Sequence, residues 1–212
     1  MKRLFAMLSL PLAAFASAAT AAPPADAWDI GPVIRGQNYS VGMPATLLDS
    51  RSGPFFEFPG PTERAGHVHY VTLPVRSLDG ARSLTIRFRI DAERGARFVA
   101  RDLPGEAATL SMYFQRAGDN WTSRGAYEDY RWYAPANTLI ELSPGVYERT
   151  IRLDGNWTNV NGKRAADKPR GFDAAMAEAS RVGFTFGSSS RRGHGVYATQ
   201  PARFTLLDFR ID

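Results

Sequence analysis

A chain of 212 residues with 44% hydrophobic, 22% charged and 12% aromatic residues has the composition of a globular protein, which excludes a disordered, fibrous or wholly membrane-embedded chain. With no cysteine, it also excludes disulfides, thiolate nucleophiles, cysteine-held zinc and iron–sulfur clusters. The formal charge is +5, but the arginines are scattered and form no basic block, so nucleic acid is not an expected partner.

Lys2 and Arg3 precede an apolar run over residues 4–16, and small residues follow up to Ala21. This is the layout of an export leader, with cleavage expected after Ala21 or, alternatively, after Ala18. The run is shorter than the roughly 20 apolar residues that span a bilayer, so the mature chain is expected to carry no transmembrane segment and to reside in the periplasm or outside the cell. Loss of residues 1–21 removes Lys2 and Arg3 and no acidic residue, which leaves +3. The leader style and the preference for arginine over lysine point to a bacterial source. The formal glycosylation sequons at Asn38, Asn120 and Asn156 then read as loop residues.

Residues 22–27 read as a short Ala/Pro spacer before one domain over residues 28–212. Residues 52–66, rich in proline and glycine, read as a long surface loop. Residues 67–75 predict a strand in which His67 and His69 share the phase of Val71, Leu73 and Val75. The clearest strand follows, with Leu84, Ile86, Phe88 and Ile90 alternating with Thr85, Arg87 and Arg89. Residues 98–101 are a further strand. Leu110, Met112 and Phe114 alternate with Ser111, Tyr113 and Gln115 until turn formers at residues 117–120 close the run.

Residues 129–134 are a shorter strand, and residues 138–142 and 147–153 are expected to pair as a hairpin across Ser143-Pro144-Gly145. A single short helix is predicted at residues 172–181, with Phe172, Ala175, Met176 and Ala179 on one face and Gly171 at its start. Val182, Phe184 and Phe186 form another strand. In residues 203–211 the apolar phase changes between Leu206 and Leu207, which means a β-bulge or burial on both faces. Short alternating strands with turns between them predict an all-β fold, a single antiparallel β-sandwich with one wetted sheet face.

The run of residues 181–187, the glycine-bearing loop after it and the last strand with Asp208 among apolar residues resemble jelly-roll domains of the galactose-binding and carbohydrate-binding-module type. The resemblance implies a β-sandwich that binds a saccharide without chemistry of its own, sometimes with a structural calcium ion. Asp29 and Asp208 are the calcium candidates, and no other cofactor is implied.

Aromatic faces stack on sugar rings, and planar polar groups bond their hydroxyls. Trp121, Tyr127, Tyr130, Trp132 and Tyr133 fall within 13 residues and alternate with charged neighbours, so Tyr130 and Trp132 are candidate ligand contacts. Arg87, Arg89, Tyr113 and Gln115 lie on the polar phases of the two clean strands. They form one polar surface if those strands share a sheet. His194, between Gly193 and Gly195, sits on a loop whose backbone can approach a ligand.

His67 and His69 lack an evident third metal ligand and read as a hydrogen-bonded pair at a pocket rim. Ser188, Ser189 and Ser190 show no nucleophile elbow. The expected function is non-catalytic saccharide binding by a monomer. The alternatives are a polysaccharide lyase or glycosidase, and a structural or adhesive protein of the cell envelope. A lyase requires His, Tyr and Arg to converge in a cleft.

Overall fold

The computed structural model describes residues 22–212, so the leader expected at residues 1–21 lies outside the described residues. The expected spacer is tied to the domain: Ala25 is buried in a 3-10 turn, and Trp28 is fully buried just after it.

In chain order the strands are β1 (Asp29–Gly31), β2 (Val33–Ile34), β3 (Gln37–Asn38), β4 (Phe55–Glu57), β5 (Tyr70–Pro74), β6 (Ser83–Ala92), β7 (Phe98–Ala100) and β8 (Ala108–Arg116). They continue as β9 (Arg131–Tyr133), β10 (Ile140–Glu141), β11 (Gly145–Arg152) and β12 (Thr158–Asn159). Helix α1 (Pro169–Ala177) follows, then β13 (Ala179–Ser188), β14 (Val196–Ala198) and β15 (Ala202–Ile211).

Most of these strands build two antiparallel main sheets, as the alternating pattern predicts, while β2 with β3 and β7 with β14 form two-stranded antiparallel pairs. The larger runs β1-β5-β13-β8-β9-β12 with β10 also on β8, and the smaller runs β11-β6-β15-β4. Late strands insert beside early ones, β13 between β5 and β8 and β15 between β6 and β4, so both sheets close only when distant parts of the chain meet.

The core lies between the sheets. Leu84, Ile86, Phe88 and Ile90 of β6 face inward, as do Leu110, Met112 and Phe114 of β8, and all are at most 2% exposed. Phe204 joins the layers, with ring centroids 5.0 Å from both Phe56 and Phe88 and 5.2 Å from Phe184. The expected phase change in the last strand is a bulge: Leu206 pairs with Phe88 and Asp208 with Arg87, so Leu207 is skipped.

Three expectations are corrected. The helix spans Pro169–Ala177, not residues 172–181. Proline is favoured in a first helical turn because it lacks only an N–H that would be unpaired there, and Ala179 is already paired with Arg116 in the sheet. Gly171 lies inside the helix, where an added Cβ would run into the Asp129 carboxylate. The hairpin across Ser143-Pro144-Gly145 does not form, because β10 pairs with β8 while β11 pairs with β6, and the chain changes sheets at this turn. Finally, residues 52–66 are not all surface loop: β4 lies within them, and Phe56 is fully buried.

Candidate binding site

The outer face of the larger sheet was expected to be wetted, but β8 is buried on both sides. Its polar phase, Thr109, Ser111, Tyr113 and Gln115, is covered by loops, with each residue at most 6% exposed. Tyr70 of β5, Tyr113 of β8 and Tyr133 of β9 form a second cluster on this face, apart from the main core. Their rings are 4.9 Å and 5.2 Å apart, and the Tyr70 and Tyr133 hydroxyls share a 2.8 Å hydrogen bond. The Tyr113 hydroxyl has no hydrogen-bond partner among the described residues. Burial pushes the Tyr70 and Tyr113 hydroxyls well above the ordinary phenol range, and it raises Tyr133 too.

The loop after β8 rests on this cluster. Asp119 organises it: Oδ1 accepts from the Trp121 backbone N–H at 2.9 Å and Oδ2 from Gln115 Nε2 at 2.9 Å. Arg131 Nε stands 3.0 Å from Oδ2, with both side chains almost wholly buried. The Arg131 guanidinium lies 4.8 Å over the Trp121 ring, and Trp121 meets Tyr70 edge-on at 5.6 Å. Trp121 (φ 65°) and Ser123 (φ 59°) both occupy the left-handed region, which non-glycine residues rarely adopt. The loop therefore takes a strained path that holds the half-buried indole at the surface.

Two clefts of about 360 Å³ each share Tyr70, and Trp121 lines the first of them. The first contains Trp121, Asp119, Gln115, Asn38 and the Asp29–Arg181 ion pair. The second contains Arg131, Tyr133, Asn161, Arg191, Arg192 and His194, and among the described residues no acidic side chain lines it. Its wall is the loop of residues 188–195, in which Gly193 (φ 73°) and Gly195 (φ 99°) pass so close to Tyr70 and His69 that neither position has room for a Cβ.

The predicted site residues separate accordingly. Tyr113 is fully buried in the tyrosine cluster and lines neither cleft, Gln115 lines the first, and His194 lines the second with Nδ1 2.7 Å from Asp102. Arg87 and Arg89 belong to β6 of the other sheet, so they do not share a surface with Tyr113 and Gln115. Trp132 is fully buried against Phe172 of α1 and is closed to any ligand. Tyr130 stacks under Arg116 at 4.7 Å and lines neither cleft.

Asp29 and Asp208, the calcium candidates, lie on different sheets and do not form one site. The His67 and His69 rings are tilted to one another by 57°, with centroids 4.7 Å apart. The Gly193 carbonyl can only accept, so His69 carries its proton on Nδ1, 2.8 Å away. Burial lowers His69 to about 3 and, together with Arg101, lowers His67. Among the described residues, no three His, Asp or Glu side chains are grouped to hold a metal ion. The Ser189 and Ser190 hydroxyls donate to Glu106.

Sequence reading missed Tyr70, Asp119, Arg131 and Arg192 as site residues. A signal for Arg131 and Tyr133 did exist, since they alternate with Trp132. If Trp132 is core, they must face the other way.

No protein-family model matches the chain, and no curated protein matches it by sequence. The fold and the paired clefts thus define an all-β sandwich with a polar, aromatic groove on one sheet, and the function must be argued from that groove.

Proposed function

We propose that this is an exported saccharide-binding protein and that the groove on the larger sheet is its binding site. The observation that carries the reading is Trp121: a half-buried indole in contact with Tyr70 and Arg131 that lines the first polar cleft, while Tyr70 joins that cleft to the second. Sugar recognition needs an apolar ring face beside planar donors and acceptors. Gln115 and Asn38 supply such groups in the first cleft and Asn161 in the second.

The test uses the protein's own fluorescence. Of the four tryptophans, Trp28, Trp132 and Trp157 are fully buried, so a ligand entering the groove changes the emission of Trp121 above all. Titration with neutral and acidic oligosaccharides should give saturable changes that Trp121→Phe abolishes, with affinity lost in Trp121→Ala. Arg87→Gln, on the other sheet, should bind as the parent does. If no oligosaccharide perturbs Trp121, or Trp121→Ala binds normally by calorimetry, the reading fails.

A second reading, β-elimination on a uronate polymer, is favoured by the meeting of Tyr70, Tyr133, Arg131, Arg192 and His194 in the second cleft. Buried tyrosines whose hydroxyls are raised above the phenol range are poor bases at neutral pH, which favours binding over cleavage. Elimination would show as a rise in ultraviolet absorbance when the protein meets the polymer.

A further inference from the structure

The second cleft has an electrostatic peculiarity that general saccharide binding does not require. Arg131, Arg191, Arg192 and His194 line it together, and among the described residues no carboxylate does. The acidic groups around it are already engaged: Asp119 pairs with Arg131, Asp102 holds His194, and Glu106 accepts from Ser189 and Ser190. Arg191 and Arg192 enter no ion pair among the described residues.

Arg192 is half-buried, and its Nη1 is spent on the Ala134 carbonyl at 2.6 Å and Thr158 Oγ1 at 3.3 Å. Those contacts hold the guanidinium in place and leave the edge formed by Nε and Nη2 without an acceptor among the described residues. Two parallel N–H groups on one edge match the two oxygens of a carboxylate. A cation removed from water without a counter-charge is unfavourable, and burial accordingly weakens the hold of Arg192 on its proton. An arriving anion relieves that cost.

We propose that the second cleft is a carboxylate subsite in which Arg192, assisted by Arg191, binds a uronate unit of the saccharide. The inference rests on the saccharide reading above and adds the substrate class. A uronate presents its carboxylate at the ring edge, so the same unit can reach Arg192 while its hydroxyls face Asn161 and its neighbour in the chain extends past Tyr70 toward the first cleft. A cleft of about 360 Å³ lies within the roughly 300–1,000 Å³ typical of small-ligand sites and suits one or two sugar rings.

The test compares an oligogalacturonate with its methyl ester, which keeps the shape and removes the charge. The acid should bind roughly 10- to 100-fold more tightly, the worth of a charge-assisted hydrogen-bonded pair. Arg192→Gln should bring the acid down to the level of the ester. Arg192→Lys, charged but without the planar edge, should fall between the two. Exposed Arg191→Gln, which disturbs no internal contact, should reduce the preference severalfold, and it serves if Arg192→Gln melts early.

Equal affinity for acid and ester, or an undiminished preference in both Arg192→Gln and Arg191→Gln, overturns the subsite. If neutral oligosaccharides still bind through Trp121 in that case, the general saccharide reading stands alone. Inorganic phosphate binding as tightly as the oligouronate would mark a free-anion site and also overturn the proposal. Failure of every saccharide to bind removes both readings together.

Discussion

Replacing Asp119 with alanine tests whether the groove is held by its buried charge pair. Asp119 is 1% and Arg131 8% exposed at the side chain, and one carboxylate pairs with the Arg131 charge and accepts from Gln115 Nε2 and the Trp121 N–H. Asp119→Ala leaves a cation buried beside three tyrosines and deprives two donors, Gln115 Nε2 and the Trp121 N–H, of their acceptor. Breaking a buried pair from one side costs about 3–5 kcal/mol, against about 0–1 kcal/mol for an exposed pair such as Arg203–Glu57. For a domain of this size each kcal/mol moves the melting temperature by about 2–4 °C, so a drop of roughly 6–20 °C is expected. Glu57→Ala should move it by no more than about 4 °C. The double variant Asp119→Ala/Arg131→Met, which removes the stranded charge, should recover part of the loss. Calorimetry and urea unfolding of the four proteins decide the matter. If Asp119→Ala is no worse than Glu57→Ala, or the double variant is worse than the single, the pair does not organise this face.

Acid should weaken the fold through His69, whose pKa of about 3 lies below its ordinary 6.5. Between those values the unfolded chain binds the extra proton, so stability falls as pH drops below 6.5, by up to about 1.4 kcal/mol per unit. Urea midpoints at pH 7 and pH 5 should differ, and less so in His69→Gln; an equal slope in that variant contradicts the assignment. Tyr113→Phe removes a buried hydroxyl that has no hydrogen-bond partner among the described residues and should leave stability unchanged or slightly raised. Tyr133→Phe strands the Tyr70 hydroxyl and should cost about 1–3 kcal/mol in the same unfolding assay. Gly193→Ala forces a Cβ into the Tyr70 ring at φ 73° and should cost about 1–3 kcal/mol or more, with Tyr70 displaced and ligand titrations of the groove weakened.

Much of the fold was legible in single strands. Alternation in β6 and β8 named the inward residues correctly, and the phase change near Leu206 became the observed bulge. Errors arose where two segments had to be related. Ser143-Pro144-Gly145 has the chemistry of a hairpin turn, yet Ile140 pairs with Leu110 and Tyr147 with Phe88, on different sheets. Turn chemistry sets local direction, whereas the choice of partner strand is decided by burial across the whole domain. The same limit split the predicted polar surface of Arg87, Arg89, Tyr113 and Gln115 in two.

For the groove, alternation by itself determined that Tyr113 and Gln115 face away from Leu110, Met112 and Phe114, and that Arg131 and Tyr133 face away from Trp132. Which of those faces is core was decided by α1, whose Phe172 covers Trp132. Only the tertiary structure brought Tyr70 to Tyr133 and Arg192 to Thr158, because those residues lie on segments that become neighbours only after β13 has inserted between β5 and β8. A strand's period records which side each residue takes; the neighbours it finds there are set by long-range pairing, which has no local signature in the chain.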